Sequence, residues 1–283
     1  MRKLLLKELA NRIWLHHFGR SLASSAENFG LSSEPPQQPE LLEFLAAELA
    51  NAGGRMKALH RLILSSSVYR QAGEANDVGL RIDPSNRGYW RFPMQRLDAE
   101  ALRDGMLAVS GELDLTAGGP AVPIEKKGSV QEVARGPLNR EVVVAESTPG
   151  ALRRSVYLQH QRTQIPTVLA LFGTPSIAIN CVDRKPATIP LQSLSQLNSD
   201  FIRRRDAALA GRLKQEVGDD TTNQTKRAFV LVAAREPTAD ELAAANEFLT
   251  RQRAFYPAEA AADKSLTDFC HMLLASNLFL YVE

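Results

Sequence analysis

Cysteine is scarce in this chain. The two cysteines, Cys181 and Cys270, lie far apart among apolar neighbours in a sequence of 283 residues. Free cysteine is among the residues most often buried, whereas disulfide frameworks and zinc sites need several cysteines at short, regular spacings. The sequence therefore favours two buried thiols over a disulfide bridge, a disulfide framework or a metal knuckle.

Long apolar runs are absent as well. A membrane span needs about 20 consecutive apolar residues, and no run approaches that length. Near the basic start, Leu4-Leu5-Leu6 is interrupted by Lys7 and Glu8, whereas a signal peptide needs about seven or more apolar residues in a row. The sequence therefore predicts no membrane span and no signal peptide in this chain.

Neither a strong net charge nor a familiar catalytic motif is present. The 34 basic side chains nearly balance the 32 acidic ones, so no overall field draws the protein onto nucleic acid or an anionic membrane. The motifs Gly-x-Ser-x-Gly, Gly-x4-Gly-Lys-Ser/Thr, His-Glu-x-x-His and Cys-x-x-Cys-His do not occur. These absences weaken the case for the enzyme and haem-protein classes that use them.

Apolar side chains at helical spacing are present over most of the chain. Pro39 suits the first turn of a helix, Asp98 is placed to cap another, and Thr238 with Glu241 has the form of a capping box. Apolar periodicity predicts helices over residues 2–18, 39–50, 55–69, 98–110, 165–172, 222–234 and 266–277, and again from residues 191 and 239.

The pattern changes between residues 111 and 162. The turn sequence Gly118-Gly119-Pro120 and short alternations of apolar and polar residues are typical of brief strands joined by loops. The strands are predicted near residues 130–133, 142–144 and 153–158. We therefore expect a mainly α (α+β) fold, in which a multi-helix body carries a small β-rich insert.

The domain organisation follows from this change of pattern. Residues 1–110 form an N-terminal helical part, residues 111–162 form the β-rich insert or lid, and residues 163–283 form a C-terminal helical part. The two helical parts are expected to pack as one domain. Within the first part, the polar segment 71–93 is predicted to be an extended connection.

Residues 11–20 hold two of the five histidines. His16 and His17 are neighbours on a predicted helix, so they point about 100° apart and do not easily bind one ion. The favoured interpretation places His17 against the core with a backbone partner, and His16 at the surface beside Arg12. In the alternative, His17 acts as acid, base or ligand with a distant histidine. The distant histidines are His60, His160 and His271.

The densest acid-base group lies at the start of the helix predicted from Asp98. Asp98 and Glu100 are, with His17 and His60, the catalytic candidates, because general acid-base catalysis uses positioned carboxyl and imidazole groups. The favoured interpretation of this group is a solvated helix start with ordinary near neighbours. No metal site is predicted. The remaining members of the group are Arg96, Arg103 and Asp104.

Arginine side chains are the candidates for binding an anionic ligand, because a guanidinium donates two parallel hydrogen bonds to carboxylate or phosphate. For Arg70, pairing with Glu43 or Glu48 is the favoured alternative, and Arg154 falls in a predicted edge strand, where charge commonly prevents aggregation. The ligand-binding candidates are Arg12, Arg20, Arg70, Arg96, Arg154 and Tyr157.

A series of short sequence segments, spread along nearly the whole chain, carries a family resemblance. They are Asn11-Arg12-Ile13-Trp14, Phe18-Gly19-Arg20, Pro39-Glu40-Leu41-Leu42, His60-Arg61-Leu62-Ile63, Ser67-Val68-Tyr69-Arg70, the run from Arg96 to Asp104, Arg153-Arg154-Ser155-Val156-Tyr157, Leu197-Asn198-Ser199 and the run from Ser276 to Tyr281. Together they resemble the planctomycete-type family known as domain of unknown function DUF1553.

The resemblance implies a context rather than a reaction. Such domains form the C-terminal part of exported proteins with a companion domain upstream and often a c-type cytochrome module. It implies an extracytoplasmic location, a companion partner, and haem in a separate module rather than a cofactor in this chain. Gln38 stands where relatives often have histidine, and Gly173 and Ser176 stand where they have acids. Because the chain begins at the first matching helix, we expect a detached C-terminal half.

Three functions are consistent with these observations. The leading hypothesis is a non-catalytic interaction or scaffold domain that works with a companion domain or cytochrome-bearing protein. The alternative is a metal-dependent, hydrolase-like enzyme acting on an extracytoplasmic polysaccharide. The third is weak nucleic-acid binding through Arg203-Arg204-Arg205, although this run is interpreted first as a solvated face, so nucleic acid is not the expected partner.

Overall fold

The computed structural model describes residues 2–23, 35–127, 141–161, 164–174 and 190–282. These residues divide into two compact units. The first contains the described residues from 2 to 95 with Val282, and the second contains those from 96 to 281. Twelve α-helices and four short strands occur in the described residues. The expected mainly α (α+β) fold class is therefore confirmed.

The first unit is helical, and its helix ends follow local sequence signals. Gly19 follows the first helix with a φ of 69°, a left-handed conformation that glycine adopts without strain. Pro39 opens the second helix, where its missing N–H costs no hydrogen bond. The helices are α1 (Arg2–Phe18), α2 (Pro39–Asn51), α3 (Met56–Ser65) and α4 (Asp77–Ile82).

Helix α4 shows that the extended connection predicted over residues 71–93 was wrong in part. The Asn76 side-chain oxygen accepts a hydrogen bond from the Gly79 N–H at 2.7 Å and so caps the helix. Gly79 lies so close to Trp90 that a Cβ atom there would be 2.6 Å from a ring carbon. No side chain of α4 is buried. The helix therefore has no apolar face toward the core that periodicity could reveal.

Five aromatic rings form the centre of the first unit. The rings of Trp14 and Phe18 stack with centroids 4.1 Å apart, and the Trp14 indole N–H donates to the Tyr89 hydroxyl at 2.8 Å. Trp14 is only 4% exposed. Tyr69 and Phe92 complete the cluster through edge contacts. These rings join α1 to the segments that follow α3.

The second unit contains most of the helices. Asp220 caps one of them through the Asn223 N–H at 2.8 Å, and the predicted capping box of Thr238 and Glu241 is present. Asp98 occupies the predicted N-cap position, but its side chain makes no capping hydrogen bond. The helices are α5 (Ala99–Ser110), α6 (Thr167–Leu171), α7 (Pro190–Asn198), α8 (Asp200–Val217), α9 (Thr221–Ala233), α10 (Ala239–Arg253), α11 (Ala258–Leu274) and α12 (Asn277–Leu280).

The strands are short. They are β1 (Gln95–Arg96), β2 (Glu125–Lys127), β3 (Glu141–Val143) and β4 (Tyr281–Val282). β1 pairs with β4, and β2 pairs antiparallel with β3 so that Glu125 faces Val143. The strand predicted near residues 142–144 is thus found one residue earlier, and the one predicted near residues 130–133 lies outside the described residues.

Residues 153–158 do not form the predicted edge strand. Ser155–Tyr157 is a 3₁₀ turn between isolated bridges. The buried Arg103 guanidinium donates to the carbonyl oxygens of Ala151 and Arg153 at 2.7 and 2.9 Å. These carbonyls are satisfied by a side chain rather than by a neighbouring strand, which is the physical reason for the departure.

The cysteine prediction holds where it can be compared. Cys270 on α11 is a free, fully buried thiol. Burial raises its pKa, so the thiol stays protonated at neutral pH and behaves as a small apolar side chain. Cys181 lies outside the described residues.

Candidate functional site

Two of the catalytic candidates meet in the first unit. Nε2 of His17 on α1 lies 2.8 Å from Nδ1 of His60 on α3, so the two rings share a hydrogen bond. The edge of Tyr69 faces the His17 ring with centroids 5.6 Å apart. One ring must donate and the other accept, and this requires at least one neutral imidazole.

The surroundings of His17 favour its neutral form. Burial lowers the pKa of His17, and the nearby His60 and His16 lower it further. His16 is exposed, as expected, whereas the hydrogen-bond partner of His17 is a ring nitrogen rather than the expected backbone group. The pair can therefore hold or exchange a single proton between two half-buried rings.

This pair predicts a loss of stability in mild acid. Because the folded-state pKa of His17 is lowered, the unfolded chain binds more protons below about pH 6.5, the ordinary histidine value. The free energy of unfolding of the first unit should therefore fall as pH drops below that value. Both tryptophans, Trp14 and Trp90, belong to this unit, so urea unfolding followed by tryptophan fluorescence measures it.

A matched pair of variants identifies the source of the effect. His17→Gln should reduce the drop in midpoint between about pH 7.5 and pH 5.5. His16→Gln, an exposed position on the same helix, should largely retain it. An identical drop in the wild-type protein and in His17→Gln would assign the pH dependence to other groups.

The remaining candidates of the first unit do not join the histidine pair through any contact in the described residues. Arg12 and Arg70 are exposed, and Arg70 Nε donates to the Ser66 carbonyl at 3.4 Å. Arg20 donates to the carbonyls of Ser85 and Asn86 and lies over the Tyr89 ring. Arg20 and Arg70 therefore donate hydrogen bonds to the chain itself.

The expected pairing of Arg70 with Glu43 or Glu48 on α2 is not found among the described residues. Glu43 pairs instead with Lys7 and with Lys3, the latter at 3.3 Å. Glu48 accepts from Asn51 at 3.4 Å. Lysines one helical turn apart on α1 reach Glu43 because α1 and α2 pack together. The sequence alone does not show that these two helices are neighbours.

Three other candidates line one groove in the second unit. Asp98, Glu100 and Arg154 border a groove of about 450 Å³. Arg154 Nε lies 3.7 Å from a carboxylate oxygen of Asp104. Carboxylates, a guanidinium and an imidazole can together hydrogen-bond hydroxyl groups of a ligand. The other polar lining residues are Asp104, Ser155, Gln159 and His160.

The burial of Arg103, behind this groove, shows that the prediction of a solvated helix start was wrong. Arg103 is 4% exposed, and burial lowers its pKa to about 10 despite the opposing effect of Asp104. Asp104 accepts from the Ser155 N–H and hydroxyl, both at 2.7 Å. The adjacent side chains of Arg103 and Asp104, about one turn into α5, therefore stabilise the turn that follows Arg153.

Tyr157 and Arg96 have structural contacts of their own. The Tyr157 hydroxyl accepts from the Gly118 N–H at 3.1 Å, and the buried Arg153 guanidinium lies 3.9 Å from the Tyr157 ring centroid. Arg96 Nη1 donates to Gln192 at 2.7 Å and lies over the Phe172 ring. Arg153 is buried and Arg154 is exposed.

The arginine run on α8 is not wholly a solvated face. Arg205 is 1% exposed and is the largest fully buried side chain of the described residues. Its Nε lies 2.7 Å from Glu112, and its Nη2 donates to Glu146 at 2.8 Å. Arg204 is exposed and pairs with the second oxygen of Glu146. The prediction of a solvated face was wrong for Arg205, because Glu112 and Glu146 neutralise its guanidinium inside the unit.

A buried pair on α8 and α11 was missed by sequence reasoning. The Asp206 side chain is 2% exposed, and its Oδ2 lies 2.7 Å from His271 Nδ1. The hydrogen bond to Asp206 raises the pKa of His271, while burial raises the pKa of Asp206. The two residues are 65 positions apart, so no local sequence motif identifies the pair.

In the described part of the chain, no group of three or more His, Cys, Asp or Glu side chains is arranged to hold a metal ion. None of the helices there is both long and apolar enough to cross a membrane.

Comparison with known proteins gives one match. The family PSD1, described as "Protein of unknown function (DUF1553)", matches residues 2–249. Neither the curated proteins nor the solved structures gave a match. The matched range includes His17 and His60 as well as the groove around Asp98.

Proposed function

Because the chain belongs to the DUF1553 family of proteins of unknown function, we propose that it is a non-catalytic interaction domain that binds a companion domain. The observation that carries this proposal is the exposed apolar surface of α4, which we call the α4 surface and define as Val78 and Ile82. As the resemblance implies, we place the interaction outside the cytoplasm and assign any haem to a separate cytochrome module.

The α4 surface is unusual for a helix with so few residues. Val78, Leu80 and Ile82 are 56%, 42% and 76% exposed. Val78 and Ile82 are four residues apart and share one helical face. Intrinsic helix propensity contributes little stability to so short a helix, so it does not explain why aliphatic side chains are exposed there. An exposed apolar patch with a polar rim is typical of a docking surface. Asp77 and Arg81 are the charged residues of the same helix.

The contacts of the catalytic and binding candidates support a non-catalytic role. His17 bonds to His60, Arg20 donates to backbone carbonyls, and Tyr157 accepts from a backbone N–H. Each of these contacts stabilises the chain itself. We therefore regard these residues, which belong to the segments that resemble the family, as a framework that holds exposed surfaces in position.

The first test is co-expression with the product of the adjacent upstream reading frame. We expect the two polypeptides to co-purify, and the double variant Val78→Ser/Ile82→Ser to weaken binding at least about tenfold, since apolar anchors dominate interface energetics. The stability of the chain should barely change, because surface substitutions usually have effects within about 0.5 kcal/mol.

A matched control separates the α4 surface from general hydrophobicity. Phe255, in the second unit, is 77% exposed, and Phe255→Ser should leave binding unchanged. The proposal fails if the polypeptides never co-purify while this chain alone is a stable monomer, or if the double variant binds as tightly as the wild-type chain.

A further inference from the structure

The pair of Asp206 on α8 and His271 on α11 joins two helices that pack together in the second unit. The Asp206 side chain is 2% exposed, and its Oδ2 lies 2.7 Å from Nδ1 of His271. The other carboxylate oxygen, Oδ1, is buried without a hydrogen-bond partner among the described residues. A buried carboxylate is costly unless a positive charge and hydrogen bonds offset it. His271 supplies both when its ring is protonated.

The charged groups around His271 lie on both helices. The hydrogen bond to Asp206 has the largest influence on the pKa of His271 and raises it, whereas burial lowers it by less. Arg203, about one turn before Asp206 on α8, opposes protonation of the imidazole, and Asp268, about one turn before His271 on α11, favours it. Burial raises the pKa of the neighbouring Cys270, so this thiol stays protonated in the range where the histidine titrates.

Helices α9, α10 and α12 also pack against α11. α12 has no charged side chain. Just beyond α10, the Tyr256 hydroxyl donates to Asp268 at 2.7 Å, and on α9 the Lys226 side chain is exposed. Three arginines of these helices bind other residues: Arg227 binds Glu216, Arg251 binds Glu247 and Arg253 binds Thr221. The imidazole proton is thus held chiefly by Asp206.

Loss of the imidazole proton removes the charge that offsets Asp206. Because the folded-state pKa of His271 is raised, the folded chain binds more protons than the unfolded chain above about pH 6.5, the ordinary histidine value. The stabilisation is fully present below that value and is lost as pH rises through the raised pKa. The raised pKa of Asp206 acts in the same direction at lower pH. The sign is opposite to that of His17 in the first unit.

We propose that the Asp206–His271 pair is a pH-sensitive switch, which holds α11 against α8 while the imidazole is protonated and loosens this contact when the proton is lost. The buried carboxylate makes the contact sensitive to one proton, and the half-buried ring gives that proton access to solvent. This inference is independent of the proposed function, since it rests on residues of the second unit alone.

The first test is an NMR titration of the histidine Cε1–H groups in the whole chain, which has five histidines. The signal of His271 is the one missing from His271→Gln. We expect its midpoint to lie at a higher pH than those of the exposed His16 and His160, and we expect Asp206→Asn to lower it. A His271 midpoint at or below those of the exposed histidines would overturn the proposal.

Hydrogen exchange then shows whether this proton controls the packing of α11. After correction for the intrinsic exchange rate at each pH, protection of residues 264–274 in the wild-type chain should fall at least about threefold between pH 6 and pH 8. The fall should disappear in Asp206→Asn, whereas His160→Gln, at an exposed position of the same unit, should retain it. Constant protection in the wild-type chain, or the same fall in a folded Asp206→Asn, would contradict the switch.

Discussion

Replacing Arg205 by alanine is expected to destabilise the second unit by about 3–5 kcal/mol, the range for removing one partner of a buried ion pair. The reason is that Glu112 and Glu146 would keep their charges without the guanidinium that lies 2.7 and 2.8 Å from them. Urea unfolding followed by far-UV circular dichroism should show a clearly lower midpoint.

Arg204→Ala is the matched control for this prediction. Arg204 binds the same glutamate, Glu146, but its side chain is 57% exposed, and exposed ion pairs contribute about 0–1 kcal/mol. Its midpoint should lie close to that of the wild-type chain. Equal effects of the two substitutions would show that burial of Arg205 is not what makes its ion pairs important.

Trp14→Ala is expected to destabilise the first unit by about 3–5 kcal/mol, the usual cost of removing a buried large aromatic side chain. The substitution removes the stack on Phe18 and leaves the Tyr89 hydroxyl without its indole donor. Trp90 remains as the fluorescent reporter of the same unit, so urea unfolding can be followed by its emission.

Trp14→Phe separates packing from hydrogen bonding. It keeps an aromatic ring but loses the indole N–H, so we expect a smaller loss, on the order of 1–2 kcal/mol from the hydrogen bond and the reduced ring. If Trp14→Ala cost less than Trp14→Phe, the ring cluster would not be the centre of this unit.

The helices could largely be predicted from the sequence, because most have an apolar face and an identifiable start. Pro39 and the capping box at Thr238 marked helix starts correctly. Helix α4 escaped because it buries no side chain. Its start depends on Asn76 and on the fit of Gly79 against Trp90, a contact between residues that periodicity does not relate.

The candidate sites were predicted as residues but not as arrangements. His17 and His60 were both named from the sequence, yet their hydrogen bond depends on how α1 and α3 pack. The burial of arginines was not predicted for a different reason. A run such as Arg203-Arg204-Arg205 has the composition of a solvated face, and only the positions of Glu112 and Glu146 show that Arg205 is neutralised inside the unit.

Hydrogen exchange of α4 tests the proposed interaction most directly. The amide protons of Asp77–Ile82 are compared by mass spectrometry in the chain alone and with the product of the adjacent upstream reading frame. Because docking on the α4 surface would suppress local opening of this short helix, its exchange should slow markedly, while that of α10 (Ala239–Arg253) stays unchanged. A complex that forms without protecting α4, or no complex at all, would contradict the proposed function.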